Sequence, residues 1–134
     1  MRRRWLVAAL VLMAAAAHAQ SDEKAASEPV LRQLEAFRRN DYDTAYTFAS
    51  TEIRQLFDRP AFERMVRDGY PEIADSVRAR VAGRRIGADG HVYLLMKIRG
   101  ANGRQIEALY DMIQEDGAWR INGVVARPDQ GDDV

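Results

Sequence analysis

Six side chains of this 134-residue chain have types that could carry chemistry: Tyr42, Tyr46, Tyr93, Tyr110, Asp111 and His91. A carboxylate or an imidazole beside a tyrosine hydroxyl is equipment for proton transfer. It works best inside an apolar cavity, which raises the carboxylate's pKa and strengthens each hydrogen bond. The spacing argues against that use. Asp111 stands between Tyr110 and Met112, so on an extended strand it points away from the face those two share. His91 follows the glycine turn Gly87-Ala-Asp-Gly90 and falls on a solvated rim. Buried tyrosines mostly serve as core residues with the hydroxyl at an edge. No catalytic residue is therefore expected. The expected lining of any ligand cavity is Tyr42, Tyr46, Tyr110 and Trp119.

Other chemistries have less support. Zinc or copper would need clustered histidine, cysteine or carboxylate ligands. The chain has no cysteine and two histidines, so no metal is expected. The acidic clusters Asp41-Tyr-Asp43 and Asp129…Asp132-Asp133 are explained more simply by capping and solvation than by calcium. No G-x-S-x-G elbow is present, and no glycine-rich loop opens a helix after a strand. Nucleophilic catalysis and nucleotide binding have no motif, and no cofactor is expected.

The chain begins with Arg2-Arg3-Arg4, then the apolar run Trp5 to Ala17, then Ala17-His18-Ala19 before Gln20. This is the layout of a secretory signal peptide, with cleavage after Ala19 and a periplasmic or secreted mature chain. The apolar run falls short of the roughly 20 residues of a membrane span, so no stable membrane anchor is expected. Three arginines before an apolar core suit the general secretion route better than the twin-arginine one. The whole sequence balances 20 basic against 20 acidic residues. Loss of the three leader arginines leaves it mildly acidic, with no clustered basic face for nucleic acid. Export without cysteine means that the core alone must stabilise the fold.

The elements that must position these side chains follow from periodicity. Residues 20–28 read as a flexible tether, and one domain spans 29–126. Val30, Leu34 and Phe37 make an amphipathic helix after Pro29, closed by Asn40. Asp41 caps a second helix, Ser50 a third, and Asp58-Arg59-Pro60 starts a fourth that ends at Gly69. Tyr70-Pro71 is then extended. From Val77 the period becomes two. Four strands, joined by turns at 87–90, 100–103 and 115–117, make an antiparallel meander. The inward parity is Val92-Leu94-Met96-Ile98, Ile106-Ala108-Tyr110-Met112 and Trp119-Ile121-Gly123-Val125. Residues 127–134 read as a disordered acidic tail. Helices followed by strands give an α+β fold, with N-terminal helices packed on a four-stranded antiparallel sheet.

Leu34-Glu-Ala-Phe37, Asp41-Tyr42, Ala45-Tyr-Thr-Phe-Ala49, Ile53-Arg-Gln-Leu-Phe57, Gly69-Tyr-Pro71, Tyr110 and Gly117-Ala-Trp-Arg-Ile121 stand in this order over most of the chain. They resemble an uncharacterised family of bacterial exported proteins defined only as a domain of unknown function, DUF4864. The helical half also resembles the nuclear-transport-factor-like superfamily of cone-shaped, cystatin-like folds. That resemblance implies a curved sheet wrapped around the helices. It also implies a range of roles, from isomerase and dehydratase to non-catalytic binding, so the fold does not fix an activity. The expected function is a small non-catalytic module that binds an apolar ligand or a protein partner. An isomerase- or dehydratase-like enzyme working in an apolar cavity is the alternative. The resemblance further implies a homodimer through the outer sheet face, where Tyr93, Leu95, Leu109 and Ile113 make an apolar surface.

Overall fold

The computed structural model describes residues 22–129. The leader reading of residues 1–19 and the last residues of the tail lie outside them. Five helices precede four strands: α1 (22–38), α2 (Tyr42–Thr47), α3 (Thr51–Leu56), α4 (Arg59–Gly69), α5 (Pro71–Ala74), β1 (Ser76–Ile86), β2 (Val92–Gly100), β3 (Gln105–Glu115) and β4 (Ala118–Pro128). The strands form one antiparallel sheet in the order β1-β2-β3-β4, and the class is α+β. Among the described residues, no helix is long and apolar enough to cross a membrane.

The helix boundaries are chemical. Asn40 takes a left-handed conformation at φ 56°, which lets the chain leave α1. The side chains of Asp41, Ser50 and Asp58 then accept from the backbone N–H groups of Thr44, Ile53 and Ala61, capping α2, α3 and α4. Residues 22–28 are helical and not a tether, and Ala26 is fully buried. Ala26, Val30, Leu34 and Phe37 form one continuous apolar stripe, and its burial outweighs the backbone hydrogen bond that Pro29 cannot make. Tyr70-Pro71 is not the extended pair expected: Tyr70 stands at φ −138° and ψ 60°, outside the extended region, and Pro71 opens the single turn of α5.

The sheet's inner face is as apolar as its period implies. Val92, Leu94, Met96 and Ile98 of β2 are buried, as are Ile106, Ala108, Tyr110 and Met112 of β3. They pack under α1, α2, α4 and α5 in a single core. The β3–β4 turn places Asp116 and Gly117 at φ 51° and 81°, the two left-handed residues that a tight hairpin needs.

Three register irregularities alter the expected parity. The first falls at Val77, which is consequently exposed, and the second lies between Val81 and Gly83. The third is in β4: Asp111 pairs with Gly123 and Met112 with Ile121, so Asn122 is an extra residue. Beyond it the facing reverses. Val124 and Ala126 pair with Tyr110 and Ala108 and turn inward, while Val125 is 70% exposed. The expectation that Val125 faces the core is therefore overturned by a β-bulge, which a period-two reading cannot anticipate. Arg127 and Pro128 belong to β4 and not to a tail; the strand's pairing continues in a bond from the Asp129 N–H to the Gln105 carbonyl.

Candidate functional site

A cavity of about 230 Å³ lies between the helices and the sheet's β3–β4 side. Each wall has a local cause. Gln33 and Phe37 come from the buried stripe of α1, and Phe62, Met65 and Val66 share one face of α4 at helical spacing. Ile53 and Phe57 come from α3 and its C-cap, and Tyr70 and Ile73 from α5 and its start. Tyr110, Ile121, Gly123 and Val124 make the floor, and the Asn122 bulge turns Val124 toward the space. Ile53, Phe57, Met65 and Val124 are partly exposed, which sets the mouth between α3, α4 and β4.

None of the residues lining this cavity carries a charged side chain. Its polar groups are Gln33, Tyr70 and Tyr110. Gln33 is buried, and its Nε2 donates to the Ala45 carbonyl at 3.1 Å. The Tyr70 hydroxyl reaches toward the Val124 carbonyl at 3.4 Å. The Tyr110 hydroxyl is buried and has no hydrogen-bond partner among the described residues. Desolvation pushes its pKa well above the usual tyrosine value, with a smaller contribution from Tyr70. A buried hydroxyl left without a partner costs free energy.

Of the four lining residues expected from sequence, Tyr110 stands in the cavity wall. Tyr42 packs beside Phe37 with ring centroids 5.1 Å apart, beneath the guanidinium of Arg67 at 4.4 Å. Tyr46 donates to the Phe57 carbonyl at 2.6 Å and fixes the end of α3. Trp119 is partly buried against the edge of the core. Sequence reasoning missed Gln33, Tyr70 and the α3–α4 wall. The signal for Gln33 was a polar residue on the stripe of Val30, Leu34 and Phe37.

Asp111 and His91 form a second cluster, on the opposite face of the sheet. His91 Nδ1 lies 2.7 Å from Asp111 Oδ1. Asn122 Nδ2 donates to Asp111 Oδ2 at 3.3 Å, and the Ser50 hydroxyl donates to Asn122 Oδ1 at 2.9 Å. The His91 N–H and the Tyr93 hydroxyl donate to Asp89 and hold its carboxyl below the usual range. This chain of bonds ties the bulged Asn122 to both the helical layer and the β1–β2 turn, so it fixes the bulge that shapes the cavity mouth. Asp41 is spent on its cap, and Asp43 pairs with Arg59 at 2.7 Å. Among the described residues, no group of three or more His, Asp or Glu could hold a metal ion.

A helical layer over an antiparallel meander, with a cavity of uncharged lining between them, defines a small α+β domain. The family model described as Domain of unknown function (DUF4864) matches residues 19–134, and the chain belongs to that family. Among curated proteins, none matches the chain.

Proposed function

We propose that this is an exported, non-catalytic binding module that holds a small, mostly apolar molecule between its helices and its sheet. Mass spectrometry of the exported chain should give a mature mass that starts at Gln20, and an intact chain beginning at Met1 in the membrane fraction would remove the export reading. One observation carries the binding reading: a cavity of about 230 Å³ with no charged side chain in its lining. An apolar cavity of about 150 Å³ already accommodates benzene, so a substituted ring or a short chain fits here. The isomerase- or dehydratase-like alternative is weaker, because no carboxylate or imidazole stands in the cavity wall to take a proton.

Toluene titrated into the purified chain should bind saturably, shifting the NMR methyl signals of Ile53, Ile73 and Ile121. Val124→Trp fills the mouth and should weaken that binding at least ~10-fold, because the indole takes the ligand's place. Absence of saturable binding, or unchanged binding in the variant, would defeat the reading.

The outer sheet face supports a second role, pairing with another copy of the chain. Leu95, Leu109 and Val125 form a cross-strand apolar row, and Leu109 is 44% exposed. On one side of that row stand Arg85, Tyr93 and Asp111; on the other stand Lys97, Glu107 and Arg127. A two-fold axis along the row sets the apolar residues of the two copies against one another, an isologous arrangement. Light scattering at micromolar concentration should give twice the monomer mass, and Leu109→Arg should return the monomer. A wild-type monomer throughout would remove this role.

A further inference from the structure

We infer that the cavity prefers a neutral ligand that carries a hydrogen-bond donor, an apolar ring or short chain with a hydroxyl or N–H group, and that the side-chain oxygen of Gln33 receives this donor. The inference rests on the binding reading above and narrows its chemistry. The first ground is the cost of Gln33 itself. It stands three residues after Val30 and four before Phe37, on the buried face of α1, and it is 4% exposed. An amide placed there gives up its hydration and needs partners in return. Its Nε2 donates to the Ala45 carbonyl at 3.1 Å. That carbonyl already accepts from the Phe48 N–H at 3.2 Å, so the end of α2 does not depend on Gln33. The bond instead orients the amide, holding its nitrogen against α2 and leaving its oxygen to the other side.

The second ground is reach. Gln33 Oε1 accepts no hydrogen bond from a described residue, since the one bond of this amide is made by its nitrogen. Among the described residues, the side-chain polar atoms that are both sealed and unpartnered are the hydroxyls of Tyr42 and Tyr110, and Gln33 Oε1 is not one of them. An unpartnered oxygen that is not sealed has surface that a small molecule can touch. Gln33 lines the cavity and is otherwise buried, so this surface belongs to the cavity.

The third ground is the character of the polar wall. The Tyr70 hydroxyl turns its single proton toward the Val124 carbonyl at 3.4 Å and leaves lone pairs to the space beside it. The amide oxygen of Gln33 is an acceptor only. A ligand hydroxyl or N–H therefore meets acceptors. An ether oxygen would face lone pairs, and could gain only through the second hydrogen of Gln33 Nε2. A carboxylate would lose its hydration and meet no counter-charge, because no charged side chain stands in the wall. The site thus separates a phenol or alcohol from its methyl ether and from the hydrocarbon of the same shape.

Calorimetric titration of the intact domain with toluene, p-cresol and 4-methylanisole at pH 7 tests the inference, because the three share one ring and differ in the donor. p-Cresol should bind about three- to tenfold more tightly than toluene, the span of a net hydrogen bond. 4-Methylanisole should bind no more tightly than toluene. In the unmutated chain, the side-chain amide NMR signals of Gln33 should move further with p-cresol than with toluene. Gln33→Met keeps the length of the side chain and removes the acceptor; it should erase the p-cresol advantage and leave toluene affinity within about twofold. Toluene binding without a p-cresol advantage, an equal advantage for 4-methylanisole, Gln33 signals that p-cresol moves no further than toluene does, or a p-cresol advantage that survives in Gln33→Met would each overturn the inference and leave the binding module standing. Failure of all three probes to bind would overturn the binding reading itself.

Discussion

Phe37→Ala is expected to lower the unfolding free energy by about 3–5 kcal/mol, the cost of removing a buried aromatic ring from a packed core. Phe37 is 2% exposed and sits where three parts of the fold meet. It continues the stripe of α1, lies 5.1 Å from the ring of Tyr42 and 6.1 Å from that of Phe62, and closes one wall of the cavity. Truncation removes the transfer energy of the ring and leaves a void continuous with the existing one. Small domains have about 5–15 kcal/mol in total, so the variant loses a large share of its stability. Urea unfolding of the two proteins measures the difference. A loss below about 1 kcal/mol would show that α1 does not hold the helical layer to the sheet. The enlarged void has a functional counterpart: a bulkier ring than toluene should gain affinity in Phe37→Ala relative to the parent, provided that the variant is folded at the temperature used.

The local rules were legible in the sequence wherever one residue type decides the structure. Asp41, Ser50 and Asp58 announced three helix starts, Asn40 one helix end, and Asp116-Gly117 a hairpin. The inward sides of β2 and β3 followed from strict alternation. What stayed hidden depends on partners distant in sequence. The extra residue at Asn122 is set by its bonds to Ser50 and Asp111, 72 and 11 positions away. No pattern within β4 reports them, and the facing of every residue after Asn122 depends on that bulge. The helicity of residues 22–28 was obscured by Pro29, a residue usually read as a boundary, although Ala26 lies on the same stripe as Val30. The candidate site shared this fate. Tyr110 could be placed by parity, but the space above it is made by α3, α4 and the reversed Val124, whose convergence is a tertiary fact.

Tyr110 also gives the fold a defined response to alkali. Burial raises its pKa in the folded protein, so the folded state keeps the proton where the unfolded chain loses it. For a group raised on folding, the stabilisation is complete below the unfolded pKa, about 10 for tyrosine, and falls as pH rises toward the folded value. Stability should therefore be insensitive to this residue through neutral pH. Above pH ~10 it should decline by about 1.4 kcal/mol per pH unit from Tyr110 alone. Tyr42 adds to the decline in the same direction: desolvation raises its pKa, though the nearby Arg67 opposes the shift. Tyr110→Phe isolates the effect. At neutral pH the variant should match or exceed the parent, because the deleted hydroxyl had no partner. Between pH 10 and 12 the variant's advantage should widen by roughly 2–3 kcal/mol as the parent pays to keep its phenol neutral. A gap that stays constant from pH 8 to 12 would mean that the Tyr110 hydroxyl reaches solvent.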